Sequence, residues 1–220
     1  MLGTYRRVLV VAAVPAEREA VLAATGGGRA PHLDVLAGGV GPAAAAAATA
    51  TALVTAAHQS NPYDLVIVTG ISGGFAANGI DVGDTVVADR IVAADLGAET
   101  PDGFASVSLL GFGTAEHLPP PELVREAAEA TGARTGPVLS VSTTTGSQHR
   151  AEQLLARHPG AAAEAMEGFG VAEAATAHGE GVPVLELRAV SNAVGPRDRA
   201  AWRIPEALAA LTTAFGKLVP

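Results

Sequence analysis

The sequence predicts a single α/β domain built on a mainly parallel or mixed β-sheet. Three observations carry that expectation. Short runs of β-formers alternate with helix-like segments from one end of the chain to the other. Several of those runs, Val8–Ala13 and Leu65–Thr69 above all, are apolar at almost every position, as strands covered on both faces are. No repeat or linker divides the 220 residues, so one domain over 1–220 is expected.

In chain order, Val8–Ala13 reads as the first buried strand. Pro15 suits a first helical turn, where its missing N–H is not needed, and opens a helix to about Ala24. Gly26–Arg29 reads as a loop, Leu33–Ala37 as a short strand and Gly38–Pro42 as a turn into a small-residue helix ending near His58. Leu65–Thr69 is a strand that stops at Gly70-Ile71-Ser72-Gly73-Gly74, and Asp81–Asp84 turns into a longer strand over Thr85–Ala94. Residues 97–121 are rich in Gly and Pro and are expected to be irregular; a loop of that length in a compact domain is usually functional. Glu122–Thr131 reads as a helix and Pro137–Val141 as a strand ending in Ser142–Gly146. Ser147 caps a helix to about His158. Ala161–Met166 is a strand, Phe169–His178 a helix, Val184–Val190 a strand and Pro205–Leu218 the closing helix.

Composition narrows the function. Hydrophobic residues make up 49% and charged residues 16%, a globular balance with no run long and apolar enough to span a membrane. The net charge of −8 argues against nucleic acid, which needs a basic surface. The absence of Cys excludes disulfides and thiolate chemistry. Met1–Arg7 runs into the first strand without the features of a signal peptide, so a cytoplasmic protein is expected. The six His show no metal spacing, and neither metal nor cofactor is expected. Ser72 and Ser191 lie in no GxSxG context, which disfavours a serine hydrolase.

Two strand ends draw attention. Ala163–Gly170 and Val184–Gly195 place Glu167 and Asn192 at the carboxyl ends of buried strands, where open α/β sheets bind ligands. A carboxylate there can accept two hydrogen bonds from a diol; the bland alternative for Glu167 is an acid at the start of the next helix. Asn192 can donate and accept at once, matching a carbonyl beside a ring N–H, or it is an ordinary turn residue. Glu17 has the place of a first-turn acid complementing the helix dipole. Glu19 could serve equally, so spacing alone favours a solvated Glu17. Gly39-x-Gly41-x-x-Ala44 superficially matches a dinucleotide fingerprint, but the next strand lacks the ribose-binding acid; its glycines can instead bring backbone N–H groups to an oxygen-rich ligand. Gly70–Gly74 is either a tight turn or a backbone cradle for a sugar or base.

Taken together, Ala12-Ala13-Val14-Pro15-Ala16-Glu17, Gly39-Val40-Gly41, Thr69–Gly74 with Val82-Gly83-Asp84, Ala165-Met166-Glu167-Gly168 and Arg188–Asn192 resemble the nucleoside phosphorylase/nucleosidase superfamily, nearly end to end. The segment 191–202 draws the resemblance toward its futalosine-hydrolysing branch. The resemblance implies a three-layer fold with a twisted mixed sheet flanked by helices, and hydrolysis of an N-glycosidic bond. It implies Glu17 as activator of the attacking water, Glu167 as holder of the ribose hydroxyls with Met166 beside it, and Gly70, Ile71, Ser72 and Gly73 as the cradle. Thr145 and Gly146 fall in the segment whose backbone reads the base edge. Asn192 stands where adenine-specific nucleosidases have an aspartate. An amide can donate to a 6-oxo group while accepting from a protonated N7, so hypoxanthine is the expected leaving group. Residues 70–74 contain no Arg, which a phosphorylase would supply for its dianion; water is the expected nucleophile. The carboxyphenyl ketone arm of futalosine needs apolar surface and a cation. Phe104, Phe112, Arg197 and Arg199 are the candidates, and a homo-oligomer is expected because a neighbouring subunit completes this pocket in relatives. Competing readings are another purine nucleosidase or phosphorylase, a non-catalytic nucleoside sensor and a Rossmann oxidoreductase.

Overall fold

The structure is a computed structural model that describes residues 1–26 and 32–219. The loop expected over Gly26–Arg29 lies outside the described residues from position 27 onward. The elements are β1 (Val8–Ala12), α1 (Pro15–Ala24), β2 (Leu33–Ala37), α2 (Pro42–His58), β3 (Leu65–Gly74), β4 (Thr85–Ala93), β5 (Gly97–Thr100), β6 (Gly103–Ser106), β7 (Glu116–His117), α3 (Pro121–Thr131), β8 (Arg134–Ser140), α4 (Gln148–Arg157), β9 (Ala163–Ala165), α5 (Gly168–His178), β10 (Val184–Ala193) and α6 (Ile204–Leu218).

The main sheet runs β2-β1-β3-β9-β8-β4-β10, and β10 also pairs with β3. Five strands therefore close into a ring, with β1 and β2 extending from it. The sheet is mixed: β1 is parallel to both neighbours, whereas β3–β9 and β4–β10 are antiparallel. β3 changes partner along one edge. Its residues 65–68 pair with β1, and Gly73 and Gly74 pair with β9. Between those pairings the ladder opens.

Alternation along fully buried strands sets the layers. Val8, Val10, Leu65, Ile67, Leu185 and Leu187 face Val21 of α1, Leu123 of α3 and Leu211 and Phe215 of α6. Leu9, Val11, Val66 and Val68 face Ala45 and Leu53 of α2 and Val171 and Ala175 of α5. This is a helix–sheet–helix sandwich of the expected class. Among the described residues no helix is long and apolar enough to cross a membrane.

Three regions of the chain differ from the sequence expectation. β3 and β10 run to Gly74 and Ala193, because they pair with each other through Arg188↔Gly70 to Ala193↔Gly74. Backbone pairing carries the strand through glycines that have no strand preference of their own. β9 spans only Ala163–Ala165, wedged between β8 and β3. Residues 97–121 are not wholly irregular. β5 and β6 form a hairpin in which Thr100 pairs with Gly103 across Pro101-Asp102, and β7 adds to β4. Pro-Asp-Gly is a turn signal in its own right.

α2 and α5 cross closely where α5 has Gly170. A Cβ there would stand 2.8 Å from Pro42 Cα and 2.7 Å from Pro42 C. Backbone cannot yield as a side chain does, so Gly170→Ala is expected to destabilise by about 1–3 kcal/mol. A thermal melt should fall by about 2–4 °C for each kcal/mol lost.

Candidate active site

The opening in the β3 ladder leads into a cleft of about 340 Å³, lined from α1 by Glu17, from β3 by Ile71, Ser72 and Gly73, from the β9–α5 junction by Glu164, Met166 and Glu167, and from β10 by Asn192. That size suits a small organic ligand. Another cavity of similar volume lies on the α3 surface, lined by Asp89, Pro119, Val124 and Arg125. It holds none of the expected site residues, and its lining offers few converging polar groups.

Glu17 corrects the expectation of a solvated side chain. It is 4% exposed, whereas the side chain of Glu19 is 64% exposed and pairs with Arg18. Glu17 Oε2 accepts from the N–H of Ala13 (2.9 Å) and of Val14 (3.2 Å). The second bond is the reciprocal half of a capping box. Oε1 accepts from Ile71 N–H at 2.8 Å, in the opened stretch of β3. Gly70 makes room for it. A Cβ at that position, whose φ is +146°, would meet Glu17 Oε1 at 2.6 Å.

Glu167 follows β9 as the residue before α5, yet its carboxylate makes no capping bond to that helix. Oε1 instead accepts from Gly41 N–H at 3.1 Å, and Oε2 lies 3.1 Å from Arg188 Nη1. The Gly39–Gly41 turn therefore spends a backbone donor on a side chain of the protein, not on an external phosphate.

Arg188 and Glu186 are the residues whose roles the sequence did not disclose. On β10, Leu185, Leu187 and Ala189 face the α1–α3–α6 layer. Glu186 and Arg188 point to the opposite side and are fully buried. Arg188 Nε donates to Glu186 Oε1 at 2.8 Å. Burial works against the charge on Arg188, but Glu186, Glu167 and Glu17 outweigh it and hold the guanidinium above its ordinary value. Burial also pushes the Glu186 carboxyl up, against the pull of Arg188. Gly168 has no side chain because the Glu186 carboxylate fills that space. The readable signal was two charged residues, two apart, in an apolar strand: such groups share a face and must be paired.

Asn192 lies in β10 rather than in a turn. The β3–β10 register shifts between Val190 and Asn192, a bulge that re-aims the side chains beyond it. Ser191 Oγ donates to Asn192 Oδ1 at 2.8 Å and Asn192 Nδ2 donates to Ala193 O at 3.0 Å. One further donor and one further acceptor site remain on the amide. Across the cleft, Thr145 donates its N–H to Glu164 Oε1 at 2.7 Å and its hydroxyl to Oε2. Burial pushes the Glu164 carboxyl up, opposed by those two bonds.

At the mouth, Arg197 lies 5.1 Å over the ring of Trp202, and both line the cleft. Gly146 accepts from Arg197 N–H at 3.3 Å. The structure does not bring the other three candidates for the carboxyphenyl arm into this cleft. Phe104 packs under Arg157 beside β4 because β6 folds back there. Phe112 is 81% exposed in the following loop. Arg199 is exposed in a short helical turn beyond the lining residues. Among the described residues no group of three or more His, Cys, Asp or Glu is arranged to hold a metal.

The family model of the phosphorylase superfamily matches residues 6–219, and the chain belongs to that superfamily. Futalosine hydrolase of Streptomyces coelicolor is 69% identical over 187 residues, 85% of this chain and 78% of that protein. The chain belongs to the futalosine hydrolase family of that superfamily. The fold is shared with futalosine hydrolase of Helicobacter pylori (TM-score 0.80, 18% identity, 99% of this chain and 98% of that one). It is shared equally with a methylthioadenosine/S-adenosylhomocysteine nucleosidase of Neisseria meningitidis, bound to methylthio-immucillin-A (TM-score 0.79, 21% identity, 97% and 98%).

Among the described residues Arg188 is the only cation in direct contact with Glu167 and Glu186. Arg188→Ala leaves both carboxylates buried without it and is expected to destabilise by about 3–5 kcal/mol. Urea unfolding checks this, with Gly170→Ala as a packing control of smaller effect.

Proposed function

We infer that this chain is an N-glycosidase that hydrolyses futalosine, releasing hypoxanthine, and that its single nucleosidase-like domain does so as a cytoplasmic homo-oligomer. One observation carries the reading of the chemistry: Glu17 and Glu167, 150 positions apart in the chain, converge on one cleft and on one buried arginine. The choice of substrate is supported by the 69% identical relative and by the Asn192 amide, which lines the cleft and keeps one donor and one acceptor direction free.

The reaction breaks the bond from C1′ to the base nitrogen through an oxocarbenium-like transition state. Glu17 is held by three backbone N–H groups yet keeps a free lone-pair direction for a water. It takes a proton from that water as the oxygen bonds to C1′. Glu167 accepts from the ribose diol with the acceptor capacity that Gly41, Arg188 and Met166 leave free, chiefly on Oε1, and its charge favours the developing cation. The departing base is protonated from solvent at N7. Asn192 Oδ1 accepts from that N–H while Nδ2 donates to O6. Arg197 and Trp202 provide a cation and an aromatic face for the carboxyphenyl arm.

Water rather than phosphate is the nucleophile. An arginine does stand behind the cradle, since a Cβ on Gly70 would lie 3.0 Å from Arg188 Nη1. It is inaccessible to solvent and already faces Glu17, Glu167 and Glu186. A site with that excess of carboxylates repels a dianion and attracts a ribosyl cation.

Chromatography of released base tests this, using futalosine, inosine and methylthioadenosine with and without phosphate. Hypoxanthine from futalosine without phosphate is expected. A phosphate requirement would make the chain a phosphorylase, and adenine from methylthioadenosine would make it a different nucleosidase. Glu17→Gln should lower kcat about 10²- to 10⁴-fold with an unchanged circular dichroism spectrum; full activity would remove Glu17 from the water-activating role.

A further inference from the structure

Glu164 has no part in the mechanism above, yet it is 6% exposed and lines the same cleft. The sheet register gives it a partner. On one side of β3, Gly73 pairs with Glu164 of β9; on the other, Gly73 pairs with Asn192 of β10. Residues level with one another on adjacent strands project from the same face. Glu164 and Asn192 thus flank Gly73 in one row, about 10 Å apart by two strand spacings. The residue between them has no side chain. A Cβ at Gly73 would stand 3.4 Å from Asn192 Nδ2 and 2.8 Å from Val194 Cγ2. The row is a slot with a carboxylate at one wall and an amide at the other, floored by the Gly73 backbone and the Val194 methyl that takes the place of a side chain there.

We propose that Glu164 is a second base-reading residue, its carboxylate accepting the N1–H of a 6-oxopurine that lies over Gly73 between Glu164 and Asn192. This rests on the nucleoside reading of the cleft. Thr145 occupies one lone pair on each Glu164 oxygen, which leaves an acceptor direction on each. Those two bonds also tie the carboxylate to the loop at the cleft wall. The flanking Ala163 and Ala165 are buried and apolar, so a carboxylate between them is unfavourable unless it is paired. A 6-oxopurine presents N1–H next to O6, matching Glu164 beside an Asn192 that takes O6 and N7. A 6-aminopurine presents a bare lone pair at N1, which a carboxylate repels. Glu164 would therefore set the preference for the oxo base by rejecting the amino base, a sharper discrimination than pocket size allows.

The test is calorimetric binding of hypoxanthine, adenine and 1-methylhypoxanthine to the full chain and to Glu164→Gln. Glutamine still accepts from the Thr145 N–H but can turn an amide donor toward N1. The wild-type protein should bind hypoxanthine about 30-fold tighter than either other base. In Glu164→Gln, hypoxanthine should weaken about 30-fold while adenine holds or tightens. Equal weakening of both bases would reduce Glu164 to a clamp on Thr145, and unchanged hypoxanthine binding would remove it from the site; either overturns the proposal. If the variant does not fold, equal wild-type affinity for hypoxanthine and 1-methylhypoxanthine overturns it as well. Failure of futalosine cleavage would instead strike the proposed activity and leave this base-binding pattern to be decided separately.

Discussion

The buried guanidinium of Arg188 is the constraint around which the site is organised. It has no solvent to compensate its charge, so carboxylates must supply the compensation. Those carboxylates come from different parts of the fold: Glu186 from the same strand, Glu167 from the start of α5 and Glu17 from the first turn of α1. Each is then tied to backbone or packed against it. Glu17 is tied to β1's end and to Ile71, Glu167 to the start of α2, and Glu186 fills the space over Gly168. One charge thereby fixes the relative positions of two helices on opposite faces of the sheet.

The cleft itself exists because β3 exchanges β1 for β9 partway along. The backbone N–H of Ile71 in the interval is met by a side chain, Glu17, instead of by a neighbouring strand. Ligand sites in α/β proteins recur at such changes of strand partner, since the diverging neighbours leave room there. The same strand lacks side chains where the approach is closest: at Gly70 the carboxylate of Glu17 takes the space, and at Gly73 the Val194 methyl and the Asn192 amide do.

Electrostatics and shape agree on the type of ligand. The inner end of the cleft is acidic and largely buried, suited to a cationic transition state. The outer end carries Arg197 against Trp202, suited to an aromatic group bearing a negative charge. The total charge of −8 fits a protein whose partner is a small molecule rather than a polyanion. Phe112, Val40 and Val54 remain exposed apolar surface.

Much of the architecture was legible in the chain itself. Period-2 and period-3.6 patterns, with Pro at helix starts and Gly at strand ends, locate the helices and most strands, because those signals are local. Glu167 and Asn192 stood out for the same reason, as polar residues ending apolar runs. What the sequence could not decide is everything that depends on a partner strand. The extension of β3 and β10 through glycines follows from their mutual hydrogen bonding. The burial of Glu17 but not Glu19 follows from the helix-start position that turns Glu17 back to Val14 and from the opened ladder that offers it the Ile71 N–H. The pairing of Arg188 with Glu167 spans 21 positions and an intervening helix. The alignment of Glu164 with Asn192 across Gly73 joins residues from three strands and depends on a bulge at Ser191. Local chemistry chose the elements; long-range pairing, which no sequence window contains, decided which side chains share the cleft.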